Sequence, residues 1–141
     1  MKSTPNAFVD TNVLVYAADE HSPTDRKTVI ARELLLRPNL HLSVQVLSEF
    51  VASARHPQKL NLAPETEREW LAQWLRLPVT TLTAELFLIA LEIHLRYQIS
   101  HWDSLIVAAA NKSDCAVLYS EDLNDGQDYD GVRVVNPFGC D

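Results

Sequence analysis

The sequence predicts an α/β fold in which a central parallel sheet of about five strands lies between helices. Two observations lead to this prediction. Short apolar runs alternate along the chain with longer segments in which apolar residues recur at helical spacing. The chain has 141 residues, of which 47% are hydrophobic and 22% charged, as in a globular protein. That length suits one domain, so we expect residues 1–141 to form a single domain.

Five short apolar runs are the strand candidates of this fold. In order, they are Ala7–Asp10, Leu40–Val44, Val79–Leu82, Cys115–Tyr119 and Val132–Val135. Helical patterns lie between or beside them. These patterns cover Thr24–Arg37, Val44–Arg55, Pro64–Arg76, Ala84–Tyr97 and Ser100–Lys112. Pro64 suits the first turn of a helix, and Ser43 and Ser100 suit N-cap positions.

Acidic residues lie at the ends of several of these apolar segments. Asp10 ends the first strand candidate, Glu49 lies inside an apolar helical pattern, and Asp103 opens another. The acids Glu121, Asp122 and Asp125 follow the strand candidate that ends at Tyr119. Ionised carboxylates against apolar surface are unfavourable unless they are paired or bind a cation, so the pattern indicates a metal site.

The predicted sheet gives these acids a common location. In open α/β sheets, ligands bind beyond the carboxyl ends of the strands, near the point where the strand order reverses. Asp10 and Asp122 both follow strand candidates, whereas Glu49 and Asp103 lie early in helices. We therefore expect Asp10, Glu49, Asp103 and Asp122 to converge at one edge of the sheet.

Each acid also has a purely structural alternative. The segment from Asp10 to Asn12 could form only a turn or a helix N-cap. Glu49 could be a surface residue of a half-exposed helix. Asp103 lies three residues after Ser100, as in a capping box, and an acid there suits the positive end of the helix dipole. The loop acids after Tyr119 could simply be solvated.

Charge and cysteine content restrict the possible functions and locations. A net charge of −7 argues against a protein that coats nucleic acid, although bound divalent cations would offset part of it. The basic residues Arg26, Lys27, Arg32, Arg37, Arg55 and Lys59 could form local patches or solvated helix faces. Cys115 and Cys140 have no metal-binding or redox spacing, which predicts two reduced thiols. With no signal-like start and no apolar run near ~20 residues, we expect a cytoplasmic protein without membrane contact.

Four segments in this order resemble the PIN-domain ribonucleases, in particular the toxins of VapBC-type toxin–antitoxin pairs. The segments are Phe8-Val9-Asp10-Thr11-Asn12-Val13-Leu14, Ser48-Glu49, Ser100–Ile106 and Leu118–Gly126. The resemblance implies a PIN-like three-layer sandwich and an endoribonuclease that uses one or two Mg²⁺ or Mn²⁺ ions. It extends over nearly the whole chain.

Carried over residue by residue, the resemblance implies that Asp10, Glu49 and Asp103 are catalytic metal ligands. Asp122 matches the fourth acid, and Asp125 and Glu121 are its alternatives in the same loop. Asn12 and Ser120 match residues that hold a carboxylate or a metal-bound water in place.

The resemblance also implies partners, namely an RNA substrate, a cognate antitoxin and a second copy of the chain. Trp70 and Trp74 share one helix face, which is either core or a docking face for an antitoxin helix or a second copy. Two other functions stay open, a degenerate PIN fold that only binds protein and a metal-dependent nuclease that is not a toxin. A haloacid-dehalogenase-like phosphatase would need an acid where this chain has Asn12.

Overall fold

The computed structural model describes residues 4–139, and within them the chain forms six strands and six helices. The strands are β1 (Ala7–Val9), β2 (Leu40–Ser43), β3 (Val79–Thr80), β4 (Val117–Tyr119), β5 (Asp128–Tyr129) and β6 (Val132–Val135). The helices are α1 (Thr11–Ala17), α2 (Arg26–Leu34), α3 (Val44–Arg55), α4 (Pro64–Trp74), α5 (Ala84–Tyr97) and α6 (His101–Lys112). None of these helices combines the length and hydropathy that a bilayer span requires.

The strands form one sheet in the order β3-β2-β1-β4-β6-β5. The first five strands in this order pair in parallel, and only β5 pairs antiparallel, with β6. The structure thus confirms the predicted α/β fold with a mostly parallel sheet flanked by helices. Strand β5 was not predicted, since two residues are too few to show an alternating pattern.

The helix bounds agree with the prediction where the local signals are strong. Helices α3 and α5 begin and end at the predicted residues. Ser43 and Ser100 are N-caps, as predicted, and their side chains accept the amides of Val46 and Asp103. Helix α2 begins two residues later than predicted because Asp25 caps it, accepting the Lys27 amide, and it ends at Leu34, three residues earlier than predicted. Helix α1 was missed because its seven residues span only two turns.

The core lies on the central strands and on helix α6. Phe8, Val9 and Leu118 are fully buried on β1 and β4. Every residue of α6 from Ser104 to Ala110 is buried, so α6 is enclosed on all sides over this stretch. Because the middle of α6 is enclosed by its neighbours, the position of its first turn is also fixed.

The strand order reverses between β1 and β4. The chain proceeds from β1 outward to β2 and β3 on one side, and β4 then pairs with the other side of β1. This is the point at which α/β sheets form a crevice beyond the carboxyl ends of their strands. The loops after Val9 and Tyr119 border this crevice.

The cysteine prediction can be examined at one of its two positions. Cys115 is buried and forms no disulfide within the described residues. Cys140 lies outside the described residues.

Candidate metal centre

The loops that follow β1 and β4 are joined by hydrogen bonds at the crevice. The backbone amide of Asp10 donates to the carbonyl oxygen of Tyr119 at 3.0 Å. The hydroxyl of Ser120 donates to Oδ2 of Asp10 at 2.7 Å. Asp10 and Ser120 therefore lie side by side, as expected from their positions after neighbouring parallel strands.

Asp10 is the most buried acid of the site, with only 2% of its surface exposed. Its Oδ1 accepts the Thr11 amide at 2.7 Å and so caps helix α1. Burial raises the pKa of Asp10 to about 7, against the opposing effect of the hydrogen bonds from Ser120 and Thr11. The carboxylates of Asp122 and Glu49 raise that pKa further. Asp10 thus caps helix α1, as the structural alternative stated. The same carboxyl group is also buried close to other acids, and its own hydrogen-bond partners, Thr11 and Ser120, are uncharged.

Glu49 is half-buried and hydrogen-bonded through both of its carboxylate oxygens. Oε1 accepts the Thr11 hydroxyl at 2.7 Å, and Oε2 accepts the Gln45 amide group at 3.2 Å. The same Gln45 nitrogen donates to the carbonyl oxygen of Trp102 at 3.1 Å. These contacts tie helix α3 to the first turns of α1 and α6, so Glu49 is more constrained than a freely exposed surface acid.

Asp103 is half-buried in the first turn of α6. The Ser100 side chain accepts its backbone amide at 3.1 Å, so the predicted N-cap is present. Burial raises the pKa of the Asp103 carboxyl, a hydrogen bond with Ser100 lowers it, and the charges of Asp122 and Glu49 raise it again. Asp103 therefore lies within electrostatic reach of the other acids.

The three acids in the loop after β4 have different contacts. Asp122 accepts the Asn12 amide group at 3.2 Å, and its charge raises the pKa of both Asp10 and Asp103. Glu121 instead forms an ion pair with Lys27 at 2.6 Å. These contacts favour Asp122 over Glu121 as the fourth acid of the site.

The other alternative, Asp125, also has a separate structural role. Its Oδ1 accepts the backbone amide of Asn136 at 2.9 Å, which joins the loop to the end of the sheet. Asp122, by contrast, follows Ser120 so closely that its own amide donates to the Ser120 hydroxyl at 3.2 Å. These contacts favour Asp122 over Asp125 as well.

The donor set fits a hard divalent cation. All four acids offer carboxylate oxygens. Burial and the charges of neighbouring acids disfavour the ionised form of Asp10 and Asp103, and a bound cation would offset both effects. Between residues 4 and 139, no three acidic, histidine or cysteine side chains form a ready-made ligand cluster. Mg²⁺ does not require such a cluster, since it keeps several of its waters and needs only one or two carboxylates.

Four residues that contact these acids were not predicted from the sequence. Thr11 and Gln45 hold Glu49, whereas Tyr16 and Lys27 hold Glu121. Gln45 lies one helical turn before Glu49, a spacing that could have indicated it. Lys27 is 94 residues from Glu121 along the chain, and no local pattern indicates that contact.

Three solved structures have the same fold as this chain at low sequence identity. A Mycobacterium tuberculosis VapC20 structure, described as a Sarcin-Ricin loop cleaving toxin, is 21% identical with a TM-score of 0.66, covering 83% of this chain and 90% of its own. A toxin–antitoxin complex from Klebsiella pneumoniae is 18% identical with a TM-score of 0.70, covering 94% of this chain and 98% of its own. A DNA-bound VapBC from Salmonella typhimurium is 19% identical with a TM-score of 0.65, covering 93% and 97%.

The comparison with protein families agrees with this fold. No curated protein sequence matches the chain. The family model described as the PIN domain matches residues 7–126, which include β1, β4 and all four candidate metal ligands. The chain therefore belongs to the PIN domain family.

Proposed function

We propose that this chain is a divalent-metal-dependent endoribonuclease, the toxin of a type II toxin–antitoxin system that cleaves a narrow set of RNAs. The observation that carries the proposal is the group of four acids at the strand-order reversal of a PIN domain. Burial raises the pKa of both Asp10 and Asp103, and the charges of Asp122 and Glu49 raise both further. The similar Mycobacterium tuberculosis structure is described as a Sarcin-Ricin loop cleaving toxin.

In this proposal Asp10, Glu49, Asp103 and Asp122 hold one or two Mg²⁺ or Mn²⁺ ions. A bound divalent cation makes water a better nucleophile near neutral pH and stabilises negative charge on a phosphate. The chain's own neutral groups keep the acids in place. Ser120 orients Asp10, and Asn12 orients Asp122. Such supporting contacts typically affect metal affinity or activity by about 10- to 100-fold.

The charge of the chain limits which RNAs it binds. At −7, the chain has little non-specific attraction for phosphates, so we expect modest, salt-sensitive affinity and a narrow range of substrates. The proposal includes a cytoplasmic location, as expected from the sequence.

Cleavage of RNA by the purified protein tests the enzymatic proposal. With Mg²⁺ or Mn²⁺, the wild type and Asp125→Asn should cleave, since Asn keeps the oxygen that accepts the Asn136 amide. Asp122→Asn should lose activity, and so should the wild type in EDTA. Full activity in EDTA would refute the metal dependence, and equal activity of the two variants would refute the choice of Asp122.

Growth of cells that express the chain alone tests whether it is a toxin. Wild type should slow growth and Asp10→Asn should not, with a partner encoded beside the chain restoring growth. Equal growth with confirmed active enzyme would leave a metal-dependent ribonuclease that is not a toxin. Antitoxin binding without any cleavage would instead indicate a degenerate PIN fold that acts as a binding module.

A groove between α2 and α4 suits the antitoxin. The groove has a volume of about 780 Å³, with Leu36 and Trp70 on its apolar lining and Arg32 and Arg76 beside them. Trp74 is buried core, so only part of the predicted tryptophan face is available. An amphipathic antitoxin helix with acidic flanks would complement both the apolar surface and the arginines. We expect Leu36→Glu to weaken antitoxin binding without affecting RNA cleavage, measured by calorimetry and by cleavage assays.

An apolar face on α5 suits the predicted second copy. Leu88, Leu91 and Leu95 are exposed at helical spacing. Glu85 and Arg96, near the two ends of the helix, already form ion pairs with Lys112 and Asp130, so contact about a two-fold axis would depend on the leucines. We expect a dimer by light scattering and a monomer for Leu91→Glu. A monomeric wild type would refute this assignment.

A further inference from the structure

Lys27, Tyr16 and Glu121 form a closed polar group beside the acids, which we name the lysine triangle. The Lys27 ammonium lies 2.6 Å from Oε2 of Glu121, and the Tyr16 hydroxyl donates to Oε1 of the same carboxylate at 2.7 Å. Lys27 also donates to the Tyr16 hydroxyl at 3.2 Å. Both oxygens of Glu121 are therefore held by groups on α1 and α2.

Two aromatic rings lie beside the lysine of this triangle. The Lys27 ammonium lies 5.0 Å from the centre of the Tyr16 ring and 5.8 Å from that of Phe138. The two rings meet edge to face at 4.9 Å. An isolated surface ion pair contributes little, but this lysine also has cation–π contacts and a second hydrogen-bonding partner, the Tyr16 hydroxyl. The contacts join α1, α2 and the C-terminal segment at one place.

The triangle continues directly into the loop that carries Asp122. The Glu121 amide donates to Oδ1 of Asn12 at 3.4 Å, and the Asn12 amide group donates to Oδ2 of Asp122 at 3.2 Å. Asn12 and Tyr16 are four residues apart on α1 and so lie on the same helix face. Helix α1 thus contacts the loop at two points, and Lys27 from α2 supplies the third.

We propose that Lys27 and Tyr16 are positioning residues, which turn the Glu121 carboxylate away from the acids and fix the loop from which Asp122 reaches the site. The consequence for metal binding rests on the proposed function. The consequence for the loop does not, because it follows from the contacts of the triangle alone.

Hydrogen exchange on the metal-free protein tests the effect on the loop. Lys27→Met keeps the apolar stem of the side chain and removes its charge. We expect the amides of Glu121 and Asp122 to exchange about tenfold faster or more in this variant, since their hydrogen bonds would open more often. Lys27→Arg, which can still pair with Glu121, should exchange like the wild type. The matched control is Lys59→Met, because Lys59 is exposed and has no ion pair within residues 4–139.

Mn²⁺ binding, followed by electron paramagnetic resonance, tests the effect on the site. Loss of positive charge near a cation site should by itself tighten Mn²⁺ binding. Loss of a positioning contact should instead weaken it, by about tenfold or more. We expect weaker binding and a lower kcat for Lys27→Met, and a smaller effect in the same direction for Tyr16→Phe.

The possible outcomes separate this inference from its alternatives. If Lys27 contacts RNA phosphates instead, its loss will raise KM and reduce the salt dependence of RNA binding, with Mn²⁺ affinity and loop exchange unchanged. If the triangle only stabilises the fold, Tm will fall while Mn²⁺ affinity stays the same. Either result overturns the inference. A wild type that neither binds Mn²⁺ nor cleaves RNA refutes the proposed function, and the exchange experiment then still decides the role of the triangle.

Discussion

Replacement of Asp10 by Asn tests the physical basis of the site independently of catalysis. Asn has nearly the same shape as Asp and cannot ionise. Burial raises the pKa of Asp10 from 3.8 to about 7, a difference of roughly 3 units. Each unit corresponds to about 1.4 kcal/mol, so the ionisation of Asp10 costs the metal-free fold about 4 kcal/mol at high pH.

The direction of the pH dependence follows from the raised pKa. Between pH 4 and pH 7 the folded state binds a proton at Asp10 that the unfolded state has already released. The stabilisation from this proton is fully present below the unfolded pKa of 3.8 and is lost as the pH rises through about 7. The Asn variant has no such proton. The free energy of unfolding of the variant minus that of the wild type should therefore increase by about 4 kcal/mol from pH 4 to pH 8.

Urea unfolding in EDTA at a series of pH values measures this difference. At pH 8 this difference in free energy corresponds to a Tm about 10 °C higher for Asp10→Asn than for the wild type, in a domain of this size. The control is Asp114→Asn, because Asp114 is exposed and its positive φ of 56° is also accessible to Asn. A difference between Asp10→Asn and wild type that stays constant from pH 4 to pH 8 would refute the reasoning. Added Mn²⁺ should stabilise the wild type and leave the variant nearly unchanged.

Three further predictions concern the same site. Asp103→Asn should abolish cleavage and leave the metal-free Tm unchanged or higher, whereas a large loss of stability in thermal unfolding would favour a purely capping role. The affinity of the wild type for Mn²⁺, measured by calorimetry, should fall by up to about tenfold per pH unit below pH 7, because the proton on Asp10 competes with the cation; a constant affinity would contradict this. Ser120→Ala should raise the pKa of Asp10 further, since the Ser120 hydroxyl hydrogen bond lowers it, and so move the pH dependence of Mn²⁺ binding to higher pH.

The sequence predicted the fold well where local chemistry determines the structure. Ser43 as N-cap and the helical spacing after it gave both ends of α3. Helix α1 was missed because two turns show too little periodicity, although Asp10, Thr11 and Asn12 were identified as capping residues. Local signals of this kind lie within a few residues of the element that they determine.

The composition of the site was harder to predict. The rule that ligands bind beyond parallel strand ends placed Asp10 and Asp122 together, and the structure agrees. The same rule does not distinguish Asp122 from Glu121, since both follow the strand by similar distances, and the preference for Asp122 came from the resemblance. The contacts that now favour Asp122 are those of Glu121 with Lys27 and Tyr16, which are far from Glu121 along the chain. Pairings of this kind arise from tertiary packing and have no local pattern.

The location of the acids explains how the fold tolerates them. Asp10 and Asp122 follow the two central strands, and Asp103 opens the helix that is enclosed over its whole middle. Buried apolar residues hold these elements, namely Phe8, Val9 and Leu118 on the strands and Leu105 to Ala110 on α6, so they keep their positions although the carboxylates repel one another. Movement of the backbone therefore relieves neither the burial of these carboxyl groups nor their repulsion. Burial first, and then the charges of Asp122 and Glu49, raise the pKa of Asp10 and Asp103. In the proposed function, a bound cation would offset both effects.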